Sequence, residues 1–283
     1  MMASASLDGR TGDEIVNLRL TMVQGDGDKA NNIFVYGRRK DCTEHIIYFG
    51  GDVQDYPENM ELHRDNKRYL QWNTENTAKI IHKKFPNSLI FVVKPTRMHL
   101  LTFAVYSNFF QTNDFGSPNH CGDHGAIRHL SALYRSALGE VYADSQQEPA
   151  TDLPLHLIGF SKGCTVLNQV LFELHLLENN GEVKNFLKKI KSFYWLDGGH
   201  SGGKDNTWVT DDSALRLLAS LECHIYIHVS PYQVGDPMRK WIGQQEGKFY
   251  KKLLTYKAQV QERRHFETEP SSIENHFKVL EEF

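Results

Sequence analysis

One five-residue block constrains this chain more than any other feature: Gly159-Phe160-Ser161-Lys162-Gly163, set between an apolar run over 153–158 and an amphipathic stretch over 161–177. The run reads as a buried strand, and the stretch as a helix with Cys164, Leu167, Leu171 and Leu174 on one face. A chain passing from strand to helix over one serine must turn so sharply that the serine takes strained dihedrals. Glycines two before and two after leave room for that turn. The serine then stands at a helix N-terminus, where the dipole favours a developing oxyanion. Gly-x-Ser-x-Gly arises by chance in roughly one chain in ten of this length, and the plain alternative is an N-cap serine after a glycine turn. The flanking strand and helix decide for a nucleophile elbow, and hence for the α/β-hydrolase fold.

The rest of the chain is consistent with that fold. Two short strands, 17–23 and 32–36, flank the polar stretch 25–31 and predict an N-terminal hairpin. Strands follow at 45–49 and 89–93, the latter continuously apolar, as in a sheet covered on both faces. Helices are predicted at 73–85, 125–138, 211–221, 238–254 and from about 272, with strands at 192–196, 223–229 and near 257–265. Strands alternating with helices give a mainly parallel, doubly wound sheet with helices on both faces. No repeat or linker divides the chain, so residues 1–283 are read as one domain, with 98–120 a candidate lid rich in aromatics.

A serine nucleophile needs a base, and the base an orienting carboxylate; in this fold the chain order is Ser, acid, His. Asp236 follows the strand 223–229 through a short loop, where an acid projects from the sheet's C-terminal edge. His276 lies near the start of the last helix, in the slot of the base. The ordinary roles are a turn aspartate before Pro237 and a structural histidine. Asp197, after the strand 192–196, is the alternative acid, and His265 a weaker alternative base. The oxyanion hole needs two backbone N–H groups. Lys162 supplies one, and Asp52 or Val53, in the loop after the strand 45–49, the other. Gly51, Gly199 and His200 are read as pocket wall. This chemistry needs no metal and no organic cofactor.

Composition sets limits. The 283 residues are 40% hydrophobic and 24% charged, with a net charge of −3. That balance leaves no electrostatic footprint for nucleic acid. The four cysteines, Cys42, Cys121, Cys164 and Cys223, form no CxxC pair and read as reduced thiols. Residues 1–9 carry no apolar segment of a secretory signal, and no transit peptide is visible. The longest apolar runs are too short to cross a bilayer, so a soluble protein is expected. Two motifs are discounted. The stretch 198–204 matches seven positions of a phosphate-binding loop, but Asp205 stands where a serine or threonine should hold Mg²⁺. His120-Cys121-x-Asp123-His124 has metal-ligand residue types without a second cluster, and reads as a polar loop.

Longer blocks carry a resemblance. Leu157-Ile158-Gly159-Phe160-Ser161-Lys162-Gly163-Cys164 is followed by Trp195-Leu196-Asp197-Gly198-Gly199-His200-Ser201-Gly202-Gly203. Then come Asn206-Thr207-Trp208-Val209-Thr210, Pro231-Tyr232-Gln233-Val234, Asp236-Pro237-Met238-Arg239 and Ser272-Ile273-Glu274-Asn275-His276-Phe277. With Gly51-Asp52-Val53-Gln54 and Arg97-Met98-His99-Leu100, the chain over about 45–283 resembles the chromosome 2 open reading frame 69 family. The resemblance implies an α/β-hydrolase-like protein associated with mitochondria, of no established substrate. Its serine block falls on Ser161, and its C-terminal Asp and His blocks fall on Asp236 and His276. The chain lacks the leucine- and arginine-bearing N-terminal extension and the polar insertion before the elbow strand found in animal members. The expected activity is cleavage of an ester, thioester or amide in a small-molecule or acyl substrate. A catalytically silent protein that binds a protein partner or metabolite is the alternative.

Overall fold

A computed structural model describes residues 15–145, 148–178, 181–200 and 207–283. Eight strands form one sheet: β1 (Ile15–Gln24), β2 (Ala30–Arg38), β3 (Glu44–Phe49), β4 (Ser88–Val93), β5 (Leu155–Phe160), β6 (Ile190–Leu196), β7 (His224–Val229) and β8 (Gln259–Arg264). Their order is β1-β2-β4-β3-β5-β6-β7-β8. β1 and β2 are antiparallel and β2 runs antiparallel to β4; every later pairing is parallel. The expected hairpin therefore forms one end of a sheet that is parallel from β4 to β8.

Burial follows position in the sheet. All six residues of β4 are buried, as a strand with helices on both faces requires. The edge strands differ. β8, Gln-Val-Gln-Glu-Arg-Arg, has no fully buried residue, and β1 is broken by a register shift between Leu20 and Val23, with Met22 at φ 53°. Charge and a bulge both discourage edge-to-edge pairing.

Two cores sandwich the sheet. On one face lie α2 (Ala126–Tyr142), α3 (Cys164–Glu173), α4 (Gly181–Lys189), α5 (Asp212–Ser220) and α6 (Trp241–Thr255), packed over residues such as Val35, Phe91, Leu157 and Ile227. On the other lie α1 (Thr74–Lys84) and α7 (Ile273–Glu282), over Phe34, Ile46, Ile158 and Leu196. Helix α4 has no counterpart among the sequence expectations. The helix expected over 161–177 is instead a single 3-10 turn, Ser161–Gly163, then α3, then a second 3-10 stretch, Leu174–Glu178.

The candidate lid, 98–120, overlaps two small antiparallel ribbons and their connections: Arg97–His99 with Phe103–Val105, and Gln111–Thr112 with Pro118–Asn119. Tyr106, Phe109 and Phe110 are fully buried, with Tyr106 and Phe109 edge-on to Phe49, so these aromatics belong to the core. Phe103 and Phe115 lie nearer the surface and meet edge to face at 5.3 Å.

Candidate active site

The elbow has the geometry that its glycines permit. Ser161 sits at φ 52° directly after β5, in a region that L-residues enter only under constraint. A Cβ on Gly159 would lie 2.8 Å from Cys164 Cα, and one on Gly163 would lie 2.0 Å from the Phe49 carbonyl oxygen. Both glycines are therefore fixed by close backbone approach. Gly51 faces the serine from the loop after β3: a Cβ there would lie 2.6 Å from Ser161 Cβ and 3.2 Å from Oγ.

His276 is brought to the same end of the sheet by α7. Ser272 caps that helix, its Oγ accepting the Asn275 N–H at 3.1 Å. The imidazole is buried and sandwiched, stacked on Phe160 at 4.5 Å and facing Tyr232 at 4.8 Å. Its Nδ1 lies 2.7 Å from Asp197 Oδ2. A carboxylate only accepts, so Nδ1 carries the proton and Nε2 is left as the basic nitrogen. Among the described residues neither Nε2 nor Ser161 Oγ has a hydrogen-bond partner, and such contacts commonly close only around substrate.

The structure separates the two candidate acids by their surroundings. Asp236, which sequence position put first, has one oxygen on Arg239 Nε at 2.7 Å and the other on the Met238 N–H at 2.8 Å. It closes a turn, and Arg239 and those bonds hold its carboxyl below the ordinary range. Asp197, the alternative, is the carboxylate that lies against His276. It is fully buried at φ 46° after β6. Besides His276, it accepts the Ser230 N–H at 2.7 Å and the Ser230 hydroxyl at 2.6 Å. Three donors on a buried carboxylate offset its desolvation and keep it in one orientation. His265, the weaker candidate base, points away: its Nε2 lies 2.8 Å from His228 Nδ1.

One oxyanion candidate is corrected. The Val53 N–H donates to the Thr102 carbonyl at 2.7 Å and is not free for a substrate oxygen. Val53 pays for that bond with φ 74°, strained for a β-branched residue. The Asp52 N–H has no acceptor among the described residues, and Lys162 lies in the turn that opens the helix, where N–H groups lack intrahelical acceptors. Gly199, expected in the pocket wall, donates its N–H to the Ser161 carbonyl at 3.4 Å, and His200 is buried beyond it. The remainder of the glycine-rich loop, 201–206, lies outside the described residues.

Three supporting groups were not legible from spacing. Ser230 holds the Asp197 carboxylate, as above. Gln54 ties down the Gly51 loop: its Oε1 accepts the Gly51 N–H at 3.0 Å and the Tyr48 hydroxyl at 2.7 Å, while its amide donates to the Trp72 carbonyl. The third is the side chain of Lys162, which forms an ion pair with Asp52 at 2.7 Å. Among the described residues no group of three or more His, Cys, Asp or Glu is arranged to hold a metal ion, and His120 is stacked on Phe172 and bonded to Gln169. No helix is long and apolar enough to cross a membrane among the described residues. The cysteines carry no disulfide, and Cys42, Cys164 and Cys223 are buried.

Comparison with known proteins agrees with this architecture. Solved structures that resemble the chain include esterase Est22 with p-nitrophenol (TM-score 0.52, 15% identity, 96% of this chain and 78% of that one). Another is carboxyl esterase 2 of the mycorrhizal fungus Tuber melanosporum (TM-score 0.50, 12% identity, 96% and 83%). At such identities the likeness shows the α/β-hydrolase fold alone. The family model described as C2orf69 matches residues 19–153 and 141–259. "Mitochondrial protein C2orf69" of Homo sapiens is 40% identical, covering 84% of this chain and 74% of its own length. The homolog of that name in Danio rerio is 38% identical, covering 94% and 85%. The chain belongs to the C2orf69 family.

Proposed function

We propose that the chain is a serine hydrolase that cleaves an ester, thioester or amide bond, with Ser161 as nucleophile, His276 as base and Asp197 as the orienting acid. The observation that carries this reading is the pairing of His276 Nδ1 with a buried, triply hydrogen-bonded Asp197, at the strand end where Ser161 is held at positive φ. A histidine kept for packing alone has no need of a desolvated carboxylate partner. In the proposed reaction His276 Nε2 takes the Ser161 proton as Oγ attacks the carbonyl, and returns it to the leaving group. Water then repeats the sequence on the acyl-enzyme. The Lys162 and Asp52 amides hold the oxyanion, and Gly51 lets the second amide come close.

The substrate is a small molecule or acyl compound, and no step uses a cofactor. Gly51, Gly199 and His200 contribute to the pocket wall, and residues 98–120 act as lid. The names of the relatives argue for a place in mitochondria.

The test is hydrolysis of p-nitrophenyl acetate and of an acyl thioester by the purified full chain. Turnover that disappears in a folded Ser161→Ala variant supports the reading. Equal activity in that variant refutes the nucleophile. A folded wild type that turns over neither compound favours the silent, ligand-binding alternative.

A further inference from the structure

The residue after an elbow serine is needed for its backbone N–H, yet here its side chain is committed as well. Lys162 turns its ammonium inward until the side chain is 1% exposed. Nζ lies 2.7 Å from Asp52 Oδ1, donates to the Phe115 carbonyl at 2.7 Å, and stands 5.2 Å from the centre of the Phe103 ring. Asp52 Oδ1 also accepts the Ala104 N–H at 2.8 Å. Burial pulls the ammonium below the ordinary lysine range and pushes the carboxyl up, each against the attraction of the other. An ion pair whose ammonium is buried is a poor source of net stability, because desolvation offsets much of its attraction. Its placement suggests another use.

Lys162 and Asp52 are the two residues whose amides serve the oxyanion in the reading above. The ion pair thus ties together, by side chains, the two donors whose separation must be held fixed. The other contacts extend that grip. The Asp52 loop is anchored on its far side by the Val53 N–H on Thr102. The lid tip reaches Lys162 because Gly116, at φ 77°, has no side chain; a Cβ there would lie 3.3 Å from Lys162 Cδ and 2.1 Å from the Ala104 carbonyl.

We infer that the Lys162–Asp52 pair is a positioning brace for the oxyanion hole, fixing the spacing of its two donor amides and docking residues 103–116 beside them. This rests on the hydrolase reading. The two side chains touch no reacting atom; they act through the backbone to which they are attached. Misplacement by about 1 Å costs on the order of 10²-fold in rate, and removal of a donor costs about 10²–10³-fold. Oxyanion donors act on the transition state, so the loss belongs in kcat and not in KM.

The experiment measures kcat and KM for p-nitrophenyl acetate, and inhibition by phenylboronic acid, whose tetrahedral adduct places an oxygen in the hole. Full-length wild type is compared with Lys162→Met, Asp52→Ala and the double variant. The brace predicts a kcat lower by about 10- to 10³-fold, KM within about threefold, and boronate inhibition weakened in parallel. The double variant is no slower than the worse single one, since both break the same link. Should Lys162→Met fail to fold, Asp52→Ala decides alone, because it removes the oxygen that accepts Lys162 Nζ. Folded variants with wild-type kcat, or with a loss confined to KM, overturn the brace and leave the hydrolase reading standing. A folded wild type with neither turnover nor boronate binding overturns both.

Discussion

Asp197 and Asp236 carry the same functional group at the ends of neighbouring strands, and their surroundings separate them. Asp197 is desolvated and saturated by Ser230 and His276; Asp236 is a turn residue matched to Arg239. The proposed function therefore makes opposite predictions for the two. Asp197→Asn should lower kcat by about 10⁴-fold, the loss that follows when a triad histidine is left in the wrong tautomer. Asp236→Asn should leave kcat within about twofold, since it sits outside the proton path. Steady-state kinetics on one ester decide it, and a severe loss at Asp236 with none at Asp197 would reverse the assignment. Sequence could offer both acids because each lies at the C-terminal edge of the sheet. The choice depends on Ser230, brought to Asp197 from the end of the next strand, and no local pattern encodes that contact. The Val53 amide was obscured in the same way, because its acceptor, Thr102, lies 49 positions on and in another element.

Elements carry these groups into register. β5 leads into Ser161, β6 into Asp197 and β7 into Ser230, and α7 delivers His276 one turn from its N-terminus. The alternation of strands and helices and the hairpin were legible because periodicity reports burial directly. Helix α4 was not predicted, although Val183, Phe186 and Leu187 are its buried face, because nine residues give its apolar period too little length to stand out. The ribbons within 97–119 were not predicted either: strands of two or three residues are too short to show alternation. Ser272 is a test at this scale. Its hydroxyl caps α7, so Ser272→Ala should cost about 1 kcal/mol of stability, read as a lower urea midpoint with an unchanged slope. Activity should fall only a few-fold, because Asp197 and the stacking on Phe160 still hold the imidazole. An unchanged midpoint would show that the cap contributes nothing.

The molecule as a whole buries or largely buries several histidines, among them His156, which keeps the Glu44 carboxylate at 3.1 Å. Burial pulls His45, His120, His129 and His156 down to about 4, and burial beside His265 takes His228 to about 3. Each folded value lies below the ordinary 6.5, so the neutral form is the one the fold accepts. Unfolding then takes up protons as the pH drops below that value. Their contribution to stability is complete above about pH 6.5 and is lost as the pH falls toward 4, at up to about 1.4 kcal/mol per pH unit for each such histidine. The urea midpoint should therefore decline steadily between pH 7 and pH 4.5; a flat midpoint across that interval would mean these rings are not held neutral.

The account stands on an activated Ser161, and the most direct measurement of that is covalent labelling by a fluorophosphonate, with the adduct located by mass spectrometry. The account predicts one adduct per chain, on Ser161, absent in Ser161→Ala and strongly slowed in His276→Ala. A folded wild type that stays unlabelled, or an adduct on another residue, would contradict it.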